Sequence, residues 1–353
     1  MAVSRPAALV GRALAALRAG DVVALLAPGR LTLVSSVARF ERSAGQQVFP
    51  SWRGSLAVVL ERERIDALEI APARAGSPRQ GRFRGSVDLA ASVWEGATPP
   101  ARAATVRTLA EPSAVAADFV QPGHVFLAER ASRGLLERRD TFEAAGELCE
   151  RAGCGPAVVY DVTDLETRAR LEGAAAVSLT LEDVVLERLA GAALIAREAA
   201  AQLPTDLGDL VATGYRSRLD AGQHLALVPG GPRPAGAQAM LYVHRACAPG
   251  DVFGSRACDC GRRLTAMRER IAASGAGALV YLDGGDAWRH LDPDALRDAD
   301  LTCEQAAVAA QIAADQGFAS VVSAPASSRL QAALAARGIH VVNGPLAVHE
   351  EVA

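Results

Sequence analysis

Lysine is absent from the 353-residue sequence, so all 37 basic residues are arginine. That excludes Schiff-base chemistry on a lysine and phosphate binding by a P-loop lysine. A large charge of either sign is also missing. The formal net charge is −3, which leaves no global basic field for nucleic acid, and none is expected as a partner. No run reaches the roughly 18 uninterrupted apolar residues of a membrane span. The Ala-rich stretch from Gly191 to Ala201 is cut by Arg197 and Glu198. No secretory signal accompanies the six cysteines, which argues against a disulfide framework and predicts a soluble, cytoplasmic protein without a membrane partner. Aromatic residues are scarce at 4%, but 50% hydrophobic and 22% charged residues exclude a disordered or fibrous chain.

What is present points to mixed helices and strands, an α+β fold of mixed α/β layers, and the length suggests two domains. Val10, Leu14 and Leu17 fall on one helical face stopped by Gly20. Short β-branched and leucine-rich runs at Asp21 to Leu26, Leu31 to Val37 and Ser55 to Leu60 predict strands. Thr98 before Pro99-Pro100 opens a helix through Leu109, and Phe142 to Ala152 is a second helix ended by Gly153. Thr180 and Asp183 have capping-box spacing, which predicts a long helix from Leu181 to Gln202. Pro204 then sets a domain boundary, giving domains 1–202 and 203–353. Pro229 to Pro234 reads as a hairpin tip before the strand from Met240 to His244.

The chemistry is concentrated in C-x10-C-x-C, formed by Cys247, Cys258 and Cys260 inside a Gly- and Pro-rich stretch. Thiolates are natural soft ligands for zinc, and such a loop can fold so that one cysteine meets a pair. Three ligands leave a fourth position. With water there, zinc supplies hydroxide for hydrolysis; with a protein ligand there, the site is closed. His244 is the obvious fourth ligand, although residues three apart on a strand face opposite ways, so the strand must end before Cys247.

The run from Val243 to Gly261 resembles GTP cyclohydrolase II, whose zinc segment reads V-H-S-E-C-L-T-G-D-V-F-G-S-x-x-C-D-C-G. Leu203-Pro204-Thr205, Gly214-Tyr215-Arg216 and His224 to Val228 match the opening of the same family. The first half is similar to 3,4-dihydroxy-2-butanone 4-phosphate synthase in Ala16 to Gly20, Thr105 to Leu109, Asp118 to Phe126 and Leu136 to Arg139. Together they have the layout of the bifunctional riboflavin-biosynthesis family. That resemblance implies one Zn²⁺ per chain, GTP or a related nucleotide as ligand, Mg²⁺ only if a nucleotide is bound, a homodimer, and other riboflavin-pathway enzymes as further partners.

The departures from the family are specific. Its acidic D-E-D-R-E-N-E-G-D loop, which binds magnesium, is replaced by Leu26 to Ser36, without a carboxylate, and the ligating histidine of G-H-T-E-A falls at Thr141. Arg102 and His124 remain as remnants of a synthase half expected to be inactive. In the second half the nucleotide-binding R-Q-E-G-R-G-I-G-L becomes Asp283 to Leu291, where Asp283, Asp286, Trp288, Arg289 and His290 form either an exposed loop or a rebuilt pocket. Three readings stay open: a diverged GTP hydrolase, a catalytically inactive scaffold, and a zinc hydrolase for another small molecule.

Overall fold

The apolar runs of the first half are strands covered on both faces, which is why they read as unbroken hydrophobic segments rather than as an alternation. The computed structural model describes residues 5–37, 40, 55–70, 83–95, 98–162, 175–220, 222–232, 238–285, 287–291, 300–324 and 327–342. The chain divides into two compact units between Val185 and Leu186.

The first unit runs α1 (Arg5–Ala19), β1 (Val23–Ala27), β2 (Arg30–Ser36), β3 (Ser55–Leu60), α2 (Arg62–Ala67), β4 (Phe83–Leu89), α3 (Pro99–Ala110), β5 (Phe119–Glu129), α4 (Thr141–Ala152), β6 (Ala157–Val162) and β7 (Val177–Thr180). Its seven strands lie in the order β4-β5-β3-β6-β2-β1-β7. One face of the sheet presents Leu31, Leu33, Val58 and Tyr160 to Ile65 of α2, to Leu68 just after it, and to Val106 and Leu109 of α3. The opposite face takes α4, which packs along α1. Asp140 caps α4 by accepting hydrogen bonds from the backbone N–H of Phe142 and Glu143, and Gly153 ends it at φ +68°. Thr98 stands in the N-cap position of α3 as its sequence predicts, but its hydroxyl makes no capping hydrogen bond.

The helix expected from Leu181 to Gln202 is shorter. α5 (Leu181–Gly191) begins on the predicted capping box, with the Asp183 N–H donating to Thr180 Oγ1 (3.0 Å) and the Thr180 N–H to Asp183 Oδ2 (2.9 Å). Residues beyond Gly191 turn into β8 (Ile195–Thr205), paired antiparallel along its length with β9 (Gly208–Ser217). Sheet pairing overrides the helix propensity of the alanines. Pro204 is accommodated because β8 is the edge strand.

The second unit continues with β10 (Gln223–Pro229), β11 (Met240–Arg245), α6 (Ala248–Asp251), α7 (Cys260–Ser274), β12 (Gly277–Asp283), α8 (Cys303–Asp315), β13 (Ser320–Ala324), α9 (Ser328–Ala336) and β14 (His340–Val341). The sheet order is β14-β13-β11-β12-β10-β9-β8. β12 therefore separates β10 from β11, and the segment after Pro229 is a crossover rather than the expected hairpin tip; residues 233–237 lie outside the described residues. Tyr242 and Leu279 pack with Met267 and Ile271 of α7. Among the described residues no helix is long and apolar enough to cross a membrane.

One close approach shapes the first unit. A Cβ on Gly123 would stand 2.0 Å from the carbonyl carbon of Val87, so β5 can lie against β4 here only without a side chain. Gly123→Ala should destabilise the first unit by about 3 kcal/mol, the upper end of the overpacking range. Denaturant unfolding read from that unit checks this; an unchanged midpoint would contradict it.

Candidate metal centre and the synthase-like remnants

β11 ends at Arg245, and the chain turns through Cys247 into the single turn of α6. Asp251, at the end of α6, fixes that turn. Its carboxylate accepts from the Cys247 N–H (2.8 Å) and the Tyr281 hydroxyl (2.9 Å), and both oxygens face His244 Nε2 at 3.0 Å. With Asp251 ionised, Nε2 donates, and the Tyr242 hydroxyl stands 3.1 Å from Nδ1 on the other side of the ring. Burial raises the Asp251 pKa, but the hydrogen bond and charge of His244 and the donors around it outweigh burial and leave it below the usual carboxylate value. His244 is thus committed to Asp251. The strand does end before Cys247, but the His244 ring faces Asp251.

The other thiols arrive by backbone contact. A Cβ on Gly250 would lie 2.9 Å from Cys258 Sγ, and one on Gly261 would lie 2.3 Å from the Gly250 carbonyl oxygen. These two glycines let the start of α7 press against α6, which brings Cys258 and Cys260 to the buried Cys247. Cys247 Sγ stands 3.7 Å from Cys258 Sγ. The fourth group is His290, from the 3₁₀ turn Arg289–Leu291 that follows β12. Its Nδ1 is 3.2 Å from both Cys247 Sγ and Cys260 Sγ, and the four donor atoms all lie within 4.8 Å of one another.

Three sulfurs and an imidazole nitrogen form a donor set suited to zinc. Zn–S bonds of about 2.3 Å in a tetrahedron require S···S edges of about 3.8 Å, close to the 3.7 Å seen between Cys247 and Cys258. Burial first, and then the neighbouring thiols, push the Cys260 pKa well up, and burial raises that of Cys247. Crowded thiols resist losing protons, and a cation among them removes that resistance.

The structure separates the remaining residues of the Asp283 to Leu291 run. Asp283 is exposed and accepts from the Gly285 N–H, while Trp288 is 56% exposed and stacks on the exposed Phe253, ring centroids 6.1 Å apart. Asp286 and the side chain of Arg289 lie outside the described residues. His290 joins the thiols. Sequence spacing gave no signal for this, because 29 intervening residues separate it from Cys260 and only β12 brings it back.

In the first unit β1 and β2 are joined by Pro28-Gly29 alone, with Ala27 paired to Arg30 and Gly29 at φ +67°. This tight turn occupies the place of the acidic loop. The Thr32 hydroxyl meets the Thr141 hydroxyl at 2.8 Å and Asp161 Oδ1 at 3.2 Å, with both threonines buried. His124 is held by Asp88, which accepts from its N–H (2.9 Å) and lies 2.6 Å from its Nδ1. Burial lowers the Arg102 pKa while the charge of the same Asp88 acts against the shift. The two remnants therefore share one carboxylate, which sequence reasoning did not single out.

Two α+β units, the second carrying a three-thiol, one-imidazole cluster, define the class of protein. The family model of 3,4-dihydroxy-2-butanone 4-phosphate synthase matches residues 12–191 and that of GTP cyclohydrolase II matches residues 196–344. The chain belongs to this riboflavin-biosynthesis family. It is 34% identical over 247 residues to the riboflavin biosynthesis protein RibBA of Rhodococcus jostii, covering 65% of this chain and 59% of the relative. It is 36% identical over 200 residues to RibBA of Bacillus cereus, covering 54% and 50%. The chain thus spans less than two thirds of the length of these relatives. Its fold resembles the crystal structure of RibBX, a two-domain 3,4-dihydroxy-2-butanone 4-phosphate synthase from A. baumannii, with a TM-score of 0.62, 20% identity, and coverage of 95% and 99% of the two chains.

Asp251→Ala leaves His244, the Tyr281 hydroxyl and the Cys247 N–H without their shared acceptor, and should cost about 3 kcal/mol. Because the Asp251 pKa is depressed on folding, its contribution is complete above the unfolded carboxylate pKa of about 4 and is lost as pH falls through the lower folded value. Unfolding free energies measured from pH 7 to pH 3 check both, and an acid limb of equal slope in Asp251→Asn would refute the assignment.

Proposed function

We propose that the chain is a zinc-bearing scaffold of the riboflavin-biosynthesis family in which neither unit performs the family chemistry. One Zn²⁺ per chain is held by Cys247, Cys258, Cys260 and His290. The observation that carries this reading is the position of His290 Nδ1, 3.2 Å from two of the three thiols. A zinc ion supplies a hydroxide nucleophile only where a coordination position is open to water. A Cys₃His sphere is closed, and its work is mechanical: it ties the end of β11, the start of α7 and the turn after β12 together. The aspartates of the Asp283 to Leu291 run, where the family carries arginines, add repulsion toward a triphosphate.

The synthase-like unit is consistent with the same conclusion. Magnesium needs oxygen ligands, carboxylates above all, yet the β1–β2 connection is a two-residue turn and the Thr141 position is sealed by a hydroxyl pair. A cytoplasmic homodimer that partners active riboflavin-pathway enzymes is the role left for such a chain.

Zinc-loaded protein incubated with GTP and Mg²⁺ should release neither formate nor pyrophosphate; turnover of GTP would overturn the scaffold reading and favour hydrolysis with His290 displaced by water. In the cobalt-substituted protein the visible bands should be insensitive to azide, whereas His290→Ala, with a water in the vacated position, should respond. Cys258→Ser should bring zinc content below one per chain and lower the unfolding midpoint of the second unit, since metal-binding free energy is folding free energy. Equal zinc stoichiometry in variant and parent would sink the ligand assignment.

A further inference from the structure

Two cysteines that the metal cluster does not use lie at the end of α4. The helix closes in a Schellman motif: the Gly153 N–H donates to the Glu150 carbonyl (2.9 Å) and the Cys154 N–H to the Cys149 carbonyl (3.1 Å), with Gly153 in the left-handed region. In this motif the residue just past the glycine touches the residue five positions before it, a contact usually made by two apolar side chains. Here both are cysteines. This turn sets the two cysteines side by side: the Cys154 thiol reaches the Cys149 carbonyl at 3.4 Å, and both are free thiols.

The two sulfurs differ in environment. Cys149 is fully buried, its sulfur 3.9 Å from the Ser35 carbonyl oxygen, whereas Cys154 is half-exposed. The hydrogen bond from Cys149 holds the Cys154 pKa down to about 7 against the effect of burial, and the charge of Arg18 assists. Arg18 is fixed beside the turn by donating from Nε to the Ala152 carbonyl (3.3 Å) and from Nη2 to the Arg151 carbonyl (3.2 Å). A half-exposed sulfur whose ionisation is favoured, backed by a buried thiol, is the arrangement of an attacking and a resolving cysteine.

We infer that Cys149 and Cys154 form a redox site that a hydroperoxide converts into a disulfide. The Cys154 thiolate attacks the peroxide, breaking its O–O bond to give the sulfenic acid and an alkoxide or hydroxide that takes a proton from water. The Cys149 sulfur then attacks the Cys154 sulfur, an S–S bond forms as the S–O bond breaks, and the departing hydroxide leaves as water with the Cys149 proton. Two thiols are oxidised by two electrons, and one peroxide is reduced to an alcohol, or to water, and water. The bond staples the turn between α4 and β6. A thiol reductant reverses it.

The sequence supplies a direct readout, because Arg151 lies between the two cysteines and trypsin separates them. Full-length, metal-loaded protein treated with hydrogen peroxide should yield residues 140–151 joined to residues 152–168, and dithiothreitol should release the two peptides. In Cys149→Ser, dimedone should trap a sulfenic acid on Cys154; in Cys154→Ser, Cys149 should stay reduced under the same treatment. Alkylation of Cys154 by iodoacetamide should rise with pH to a midpoint near 7. The inference is overturned if peroxide drives Cys154 to the sulfinic acid or to another cysteine while Cys149 remains a thiol in folded parent protein. Oxidation of Cys149 in the absence of Cys154 would overturn it equally.

Discussion

Three thiols crowded around one imidazole are a costly arrangement without a cation, and the second unit is built to enforce it. Gly250 and Gly261 bring two backbone segments into contact where no side chain fits, and Asp251 pins the Cys247 turn by collecting three donors at once. The preorganisation is expensive in buried polarity, since Asp251, His244 and Tyr242 form a chain of hydrogen bonds largely removed from water. Such a chain is stable because each member satisfies the next. It also keeps His244 away from the sulfurs and leaves the fourth place to His290.

The first unit keeps the family fold without carboxylates in its β1–β2 turn. Removing the acidic loop shortens the β1–β2 connection to the tightest hairpin turn, and Pro28 with Gly29 suits that geometry. Where a ligating histidine would project from α4, Thr141 finds Thr32 across the sheet face. A hydroxyl pair satisfies itself without an ion, so the core closes over the position. His124 on β5 and Arg102 on α3, by contrast, keep a carboxylate neighbour in Asp88, with His124 exposed and Arg102 half-buried.

The peroxide-reactive pair and the metal cluster use the same element in opposite ways. At Cys247, Cys258, Cys260 and His290 the donors suit a cation, with thiol pKa values raised in its absence. At Cys149 and Cys154, set side by side by the helix-ending turn, the interaction of the two thiols together with burial raises the Cys149 pKa, and the same interaction, helped by Arg18, lowers that of Cys154. The surroundings of each sulfur, rather than the number of cysteines, decide whether it binds metal or undergoes redox chemistry.

The amino-acid sequence alone determined the layered α+β class, the order of the two halves, the three metal-type cysteines and the absence of carboxylates from the β1–β2 turn. These are properties of residue type and short spacing, which local chemistry makes legible. The helix predicted through Gln202 failed because alanine propensity is weaker than the pairing β9 offers to residues 195–205, a partner contact that no local window contains. The placing of His244 and His290 was hidden for the same reason. Nearness to Cys247 along the chain favoured His244, but its ring is taken by Asp251, while β12 and the turn after it carry His290 back to the thiols. Only the tertiary structure places His290 beside the thiols, because that depends on where a sheet returns the chain, and that is a non-local property.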